Sequence, residues 1–136
     1  MRSFQILEHT SDIRLKLKAD SYAELFLAAL EGMNSVIKGG ADFISVEPNL
    51  KVELKSLDIS MLLVEFLSEI LLLSEKNKCL YFITELTELT DYKINCIVSG
   101  FHPEAFAEDI KAVTYTEVNI IKNSSGLYET NLVFDI

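Results

Sequence analysis

Apolar and polar residues alternate near the start of the chain in a way that is typical of two neighbouring strands. Residues 4–7 form a short apolar run, and residues 13–18 alternate strictly between apolar and charged side chains. The polar segment 8–12 connects these two runs. We therefore predict two strands, joined as a hairpin or lying side by side, with the polar segment at one end of a sheet.

Two later segments carry apolar residues at helical spacing. The first begins after Ser21, a good capping residue, and ends at the glycine pair 39–40, because glycine accepts the left-handed cap conformation without strain. The second follows Ser56 or Asp58 as its cap and runs to about residue 76. Its apolar residues cover most of its circumference, which predicts that this helix is buried against more than one neighbour.

The rest of the chain predicts further strands separated by turns. The strand segments are residues 50–55, 80–89, 91–99, 110–121 and 127–136. We expect 41–49, which contains Pro48, and 100–109 to be irregular, and 123–126 to form a hairpin turn. The predicted fold class is α+β: a two-layer sandwich of mixed or antiparallel β-sheet, about seven strands, with two helices on one side.

The last predicted hairpin gives a first estimate of register. If Lys122 and Leu127 flank the turn, Val113 lies opposite Ile136. Lys111 then lies about one pleat beyond Ile136, the last residue of the sequence. We expect the Lys111 ammonium group and the Ile136 α-carboxylate to share one neighbourhood.

Length and charge narrow the class of protein. A chain of 136 residues, 49% of them hydrophobic, is long enough to bury a core, and we expect one domain over residues 1–136. The net charge is −9. Phosphate binding relies on clustered Lys and Arg, so direct binding to nucleic acid is not expected. A basic partner protein or a cation held by carboxylates suits this charge.

Cysteine usage and hydropathy indicate the compartment. Cys79 and Cys96 form no CxxC motif and lie in apolar surroundings, which favours buried thiols in a reducing compartment. The N-terminal residues have no apolar signal core. The most apolar run, 61–73, is shorter than the roughly 20 residues that span a bilayer. We therefore expect a cytoplasmic protein without a membrane partner.

The candidate chemistry lies at the two ends of the sequence. The Asp135 side chain and the Ile136 α-carboxylate repel each other unless a cation neutralises them. If Asp12 lies at the same sheet end, three oxygen donors converge, which suits Ca²⁺ or Mg²⁺ better than zinc. Each residue also has a structural explanation: Asp12 as a turn cap, His9 as a hydrogen-bonded residue, and Lys111 as a solvated strand residue.

Five segments taken together resemble the archease family in order and spacing, and the resemblance covers essentially the whole chain. They are 9–12 (HTSD), 23–26 (AELF), 62–67 (LLVEFL), 110–115 (IKAVTY) and 134–136 (FDI). The resemblance implies a protein that is not itself an enzyme. Archeases assist the RtcB-type RNA ligase, which joins tRNA halves after intron removal. They speed guanylylation of the ligase's active-site histidine, permit multiple turnover and broaden its use of nucleotides.

The resemblance also implies roles for individual residues. The family's metal site corresponds here to Asp12, Asp135 and Ile136, with calcium as the expected cation and magnesium or manganese as alternatives. The family's lysine corresponds to Lys111, which we expect to act on the ligase. His9 is expected to support the site rather than to bind metal or catalyse.

Two other functions remain open at this point. A stand-alone metal-dependent phosphate-ester hydrolase would need a general base, for which His9 is the only obvious candidate. A chaperone-like modulator of RNA-processing proteins would act through an apolar patch instead. Phosphatase and nuclease assays on the isolated protein separate the first alternative from a ligase cofactor, and client binding separates the second.

Overall fold

The computed structural model of the protein describes residues 1–8 and 11–136, except for the side chains of residues 43–48. Within this part of the chain, eight strands and two helices follow one another. The strands are β1 (Arg2–Glu8), β2 (Asp12–Ala19), β3 (Phe43–Lys55), β4 (Leu80–Leu89), β5 (Lys93–Pro103), β6 (Ala112–Thr114), β7 (Ile121–Lys122) and β8 (Tyr128–Asp135). The helices are α1 (Tyr22–Lys38) and α2 (Ile59–Asn77).

The strands form two antiparallel sheets. One has five strands in the order β1-β2-β8-β6, with β7 also paired to β8. The other has three strands in the order β3-β5-β4. The predicted α+β sandwich is therefore confirmed, with its strands divided between two sheets.

Strict alternation in β2 determines which face of the five-stranded sheet is buried. Ile13, Leu15, Leu17 and Ala19 are at most 4% exposed, whereas the charged residues between them face away from the core. The predicted hairpin of the first two strands is confirmed, because β1 pairs with β2 along its whole length. Glu8 and Asp12, which flank the predicted connection, therefore lie at one end of this sheet.

Both helices begin at the predicted kind of cap. The Ser21 hydroxyl accepts a hydrogen bond from the Glu24 backbone N–H (3.2 Å), and the Asp58 carboxylate accepts one from the Met61 backbone N–H (2.8 Å). Gly39 ends α1 with φ of 57°. These side-chain bonds satisfy backbone donors that would otherwise have no partner in the first turn.

Both helices pack against the apolar faces of the strands. Phe26 of α1 and Phe66 of α2 are fully buried, with ring centroids 5.9 Å apart. At Gly32, an added Cβ would lie 2.7 Å from Leu15 Cδ2, so only glycine allows α1 this close to β2. The predicted burial of α2 against several neighbours is confirmed, since it contacts strands of both sheets.

The prediction that residues 41–49 form a loop is wrong, because β3 already begins at Phe43. A proline removes one backbone donor, which an edge strand tolerates where the pairing is interrupted. β3 is an edge strand, and its register with β5 shifts between Val46 and Asn49, on either side of Pro48. The proline therefore lies in a bulge rather than ending the strand.

The prediction that residues 100–109 are irregular is wrong for the first four of them. β5 continues to Pro103, and Gly100 and Phe101 pair with β4. β5 is the central strand of its sheet, so backbone groups on both of its edges have strand partners. Residues 104–109 are irregular, as predicted.

The prediction of one long strand over residues 110–121 is also wrong. Only the short strands β6 and β7 form within it. Between them, the backbone N–H groups of Asn119 and Ile120 donate to the hydroxyls of Thr130 and Ser60, each at 2.9 Å. Glu117 has φ of 67°, in the left-handed region. Side chains thus take the donors that a continuous strand would give to a neighbour.

This interruption changes the predicted register of the last hairpin. Lys122 is opposite Tyr128 beside the turn, but Val113 is opposite Phe134 rather than Ile136. The segment from Val113 to Lys122 is three residues longer than the stretch of β8 that lies opposite it, from Tyr128 to Phe134. The predicted turn itself is confirmed by a hydrogen bond from the Gly126 N–H to the Asn123 carbonyl (3.0 Å).

Cys79 and Cys96 are both buried thiols, as expected, and burial raises the pKa of the Cys96 thiol to about 11. Such a thiol is almost wholly protonated at neutral pH and is therefore inert. No helix in the described residues is long and apolar enough to cross a membrane.

Candidate metal site

Chain topology brings Asp12, near the start of the sequence, and Asp135, near its end, together at one end of the five-stranded sheet. β2 begins at Asp12 and β8 ends at Asp135, and the two strands are antiparallel neighbours. The first residue of β2 is therefore directly opposite the last residue of β8: Asp12 pairs with Asp135. On the other side of β8, Ala112 of β6 pairs with the same aspartate.

The register between β2 and β8 places both carboxylates on the same face. The pairing runs without a shift from Asp12 with Asp135 to Ala19 with Tyr128. Next to the aspartates, Ile13 and Phe134 are buried, so the aspartates lie on the face turned away from the core. Directly opposite residues have Cβ atoms about 4.5–5.5 Å apart, which is near enough for both carboxylates to reach one cation.

The electrostatics of this pair are unfavourable without a cation. Like charges directly opposite in a sheet destabilise it. Within the described residues, Asp12 Oδ1 is buried and has no hydrogen-bond partner, whereas the Asp135 side chain is exposed. A buried carboxylate oxygen without a donor carries a desolvation cost that a bound cation would offset. The residues present therefore fit a cation site.

The main chain around the aspartates is held from both sides. The Ile136 N–H donates to the Ser11 carbonyl (3.4 Å), and the Lys111 N–H donates to the Asp135 carbonyl (2.7 Å). These bonds fix Ile136 beside the segment that leads into β2. The backbone of Ile136 is thus held at the same sheet end as the two aspartates.

The donor set that these residues offer consists of oxygen atoms. Hard cations such as Ca²⁺ and Mg²⁺ prefer such donors, while zinc sites mostly use His and Cys. In residues 1–8 and 11–136, no three side chains of His, Cys, Asp or Glu are grouped so that they could hold a metal. The side chains of Asp12 and Asp135 would therefore need main-chain oxygen or water to complete the coordination. His9 lies outside the described residues.

Lys111 is near the site through its backbone. Continuing the register of β6 with β8 places Lys111 level with Ile136, one pleat closer than the sequence predicted. Its side chain is exposed, and its ammonium group forms no ion pair with any described carboxylate. Lys111 is therefore an exposed cation beside the candidate site, without an ion pair among the described residues.

An ion pair that the sequence did not predict lies on the same sheet face. Arg14 donates to both Glu117 carboxylate oxygens, from Nε at 3.0 and 3.1 Å and from a terminal nitrogen at 2.5 Å. This hydrogen bonding raises the pKa of Arg14 and lowers the pKa of the Glu117 carboxyl. Asn131 Nδ2 also donates to Glu117 (3.3 Å). Alternation in β2 showed that Arg14 shares a face with Asp12, but nothing in the sequence indicated its partner.

Comparison with known sequences matches the whole chain to one family. The model of the Archease protein family (MTH1598/TM1083) matches residues 4–136. The chain is 32% identical to protein archease of Methanosarcina mazei over 143 aligned positions, which cover 99% of the chain and 97% of that relative. It is 29% identical to protein archease of Thermococcus kodakarensis, with both chains fully covered.

Solved structures share the fold. Protein 1598 of Methanobacterium thermoautotrophicum superposes with a TM-score of 0.68 at 17% identity, covering 98% of each chain. An archease from Thermotoga maritima, described as a possible chaperone, superposes with a TM-score of 0.65 at 17% identity, covering 97% of this chain and 96% of that one. At this level of identity the likeness shows the fold alone.

Proposed function

Because the chain belongs to the archease family, we propose that it is a metal-binding protein cofactor of an RtcB-type tRNA-splicing RNA ligase. In this role it promotes guanylylation of the ligase and lets each ligase molecule turn over repeatedly. The chain itself forms no covalent intermediate and is not an enzyme. The observation that supports this proposal most directly is the buried Asp12 Oδ1, which has no hydrogen-bond partner in the part of the chain that the structure describes and belongs to the residue opposite Asp135.

We assign the cation to Asp12, Asp135 and the main-chain oxygens of Ile136. Calcium is the proposed cation, with magnesium or manganese as alternatives, because the donors are all oxygen. When bound, the cation neutralises charge on the phosphates of a nucleotide in the ligase. Asp12 and Asp135 hold it on an exposed sheet end, which is a location that can enter a partner's active site.

Lys111 is the residue that we propose to act on the ligase directly. Its exposed ammonium group lies on the segment whose backbone is hydrogen-bonded to Asp135, so its position depends on the same sheet end. An ammonium group presents a compact positive charge that suits a phosphate oxygen. Together, Lys111 and the metal-binding aspartates would approach one nucleotide from neighbouring positions.

The overall charge supports a protein partner rather than RNA. A net charge of −9 disfavours contact with a phosphate backbone and suits a basic protein surface. We propose that the protein acts in the cytoplasm. The buried thiols of Cys79 and Cys96 support that location, because thiols persist in a reducing compartment.

A reconstituted assay with the cognate ligase tests this function. The assay follows GTP-dependent guanylylation of the ligase and the number of RNA joins per ligase molecule, with and without this protein. We expect the wild-type protein to raise both, and Asp12→Ala or Asp135→Ala to abolish the effect. Glu85→Gln, which removes an exposed carboxylate from the three-stranded sheet, is the matched control and should activate normally. Full activation by the Asp12 and Asp135 variants would refute the role of the metal site.

A chaperone-like function is the second candidate. The Thermotoga maritima archease is described as a possible chaperone. In this chain, a pocket of about 360 Å³ lies between the ends of α1 and α2 and residues 106–110, with Ile37, Leu71 and Ile110 among its apolar lining. A chaperone would suppress aggregation of unfolded clients without metal, whereas a ligase cofactor loses its effect with chelator. Hydrolase activity of the isolated protein would contradict both.

A further inference from the structure

Arg14 is the charged residue on β2 nearest to the candidate metal ligand Asp12 on the same sheet face. The two residues are separated by one position, and residues i and i+2 of a strand are about 6.6–6.8 Å apart on one face. An arginine side chain spans that distance. The negative charge of Asp12 also contributes to the raised pKa of Arg14, which agrees with their proximity.

An arginine in this position can compete with a metal ion. The guanidinium group matches a carboxylate with two parallel hydrogen bonds, and such charge-assisted bonds are among the strongest in proteins. Asp12 Oδ1 has no hydrogen-bond partner in the described chain, and Asp135 lies directly opposite. If Arg14 turned towards these two aspartates, it would neutralise the charge that attracts a cation.

In the structure, the Arg14 guanidinium is bound to Glu117 instead. Its carboxylate takes the Arg14 guanidinium through three contacts of 2.5–3.1 Å and is itself oriented by Asn131. The backbone at Glu117 has a positive φ of 67°, which non-glycine residues seldom adopt. Nearby, the Asn119 N–H donates to Thr130 on β8, which holds this segment against the sheet.

We propose that Glu117 is a positioning residue for the metal site: it holds Arg14 away from Asp12 and Asp135 and so keeps that pair open to a cation. The inference rests on the proposed metal site and adds a residue that the family motifs do not contain. It assigns a specific purpose to the irregular segment between β6 and β7. That segment carries the acceptor that occupies Arg14.

Glu117→Asn is the most informative variant. Asparagine tolerates the left-handed backbone conformation, and its side chain is one methylene too short to keep the contacts with Arg14. We expect the calcium dissociation constant of the full chain, measured by isothermal titration calorimetry, to rise about fivefold, the scale of a partly exposed ion pair. Glu129→Gln is the control variant: like Glu117→Asn, it removes one negative charge. Glu129 lies on the face of β8 that carries Asp135 but does not contact Arg14, so this variant should change calcium affinity by less than about twofold.

A double-mutant cycle of Arg14 and Glu117 distinguishes a positioning role of Glu117 from a general effect of its negative charge on calcium affinity. If Glu117 positions Arg14, then Arg14→Gln alone changes calcium affinity by less than about twofold, and Arg14→Gln with Glu117→Asn restores wild-type affinity. If Glu117 only adds negative charge, the two substitutions act additively, and Arg14→Gln alone strengthens binding as much as Glu117→Asn weakens it. Additive effects would overturn the proposal. Thermal unfolding of each variant without metal checks that the fold is intact, and Glu117→Gly replaces Glu117→Asn if the latter unfolds.

The outcomes also separate this inference from the proposed function. If the wild-type protein binds no calcium, magnesium or manganese, the metal site itself is wrong. If the wild-type protein binds calcium and Glu117→Asn binds it equally well, the metal site stands and the positioning role is wrong. A crystal structure of Glu117→Asn without metal should show the Arg14 guanidinium in contact with Asp12 or Asp135, and an unmoved Arg14 would also contradict the proposal.

Discussion

The ladder that joins β2 to β8 is more regular than the two ladders of the three-stranded sheet. In the five-stranded sheet, β2 pairs with β8 over eight successive positions without a shift. In the three-stranded sheet, both ladders are interrupted: β3 with β5 near Ser45 and Pro48, and β4 with β5 near Thr84 and Thr87. The proposed metal ligands are in the uninterrupted ladder, and none is in the other sheet.

The regular pairing of β2 with β8 matters for the positions of the two aspartates. A slip of one residue moves a side chain to the opposite face of a strand. Asp12 and Asp135 face each other only because no extra residue intervenes between them and the far end of the ladder. The register shifts in the three-stranded sheet bend and twist its strands locally, and no proposed metal ligand lies there.

One phenylalanine in each sheet shows a difference in burial. Phe134 of β8 is fully buried, directly before the candidate ligand Asp135. Phe82 of β4 is 41% exposed and contacts Phe101 with ring centroids 5.9 Å apart. The Phe134 ring is thus anchored in the core, and the Phe82 ring on the edge strand β4 is anchored less, although Leu80 and Tyr81 of the same strand are buried.

The largest expected effect is on stability, and it tests this difference in anchoring. Phe134→Ala should lower the free energy of unfolding by about 3–5 kcal/mol, because it leaves a cavity in the core. Phe82→Ala should lower it by less than about 1.5 kcal/mol, since much of that ring is already in water. Urea unfolding of both variants measures the two changes. Equal losses of unfolding free energy would show that the Phe134 and Phe82 rings are equally anchored.

A smaller effect is expected from extending the chain at either end. Residues added after Ile136 should weaken calcium binding at least tenfold, since the main-chain oxygens of Ile136 are proposed ligands. Residues added before Met1 should leave binding unchanged, because Met1 is near Asp20 at the opposite end of β1 and β2 (2.5 Å). Calorimetric titration of the two extended proteins compares these ends. Normal binding by the C-terminally extended protein would remove Ile136 from the ligand set.

Local sequence signals were sufficient for much of the fold. Ser21 and Asp58 cap the two helices because a short polar side chain can accept a first-turn backbone N–H. Alternation in residues 13–18 correctly gave the buried face of β2. The errors occurred where tertiary context decides. Pro48 lies in an edge-strand bulge, and side-chain oxygens interrupt the run before β7.

The candidate site could be predicted only in part. Asp12 and Asp135 were expected at one sheet end, and the structure places them directly opposite each other. The register of Lys111 was wrong by two residues, because the number of residues in an irregular segment cannot be read from β-branched composition. Glu117 was missed for the same reason, since its contact with Arg14 spans 103 residues and depends on that segment.

Calcium titration of the wild-type protein and of Asp135→Asn tests the central claim most directly. The claim is that the uninterrupted pairing of β2 with β8 creates a cation site from two opposing aspartates. We predict one calcium bound per wild-type chain, an affinity about a hundredfold lower for Asp135→Asn, and a similar loss for Asp12→Asn. Equal calcium binding by the wild type and both variants, or no binding by the wild type, would contradict the claim.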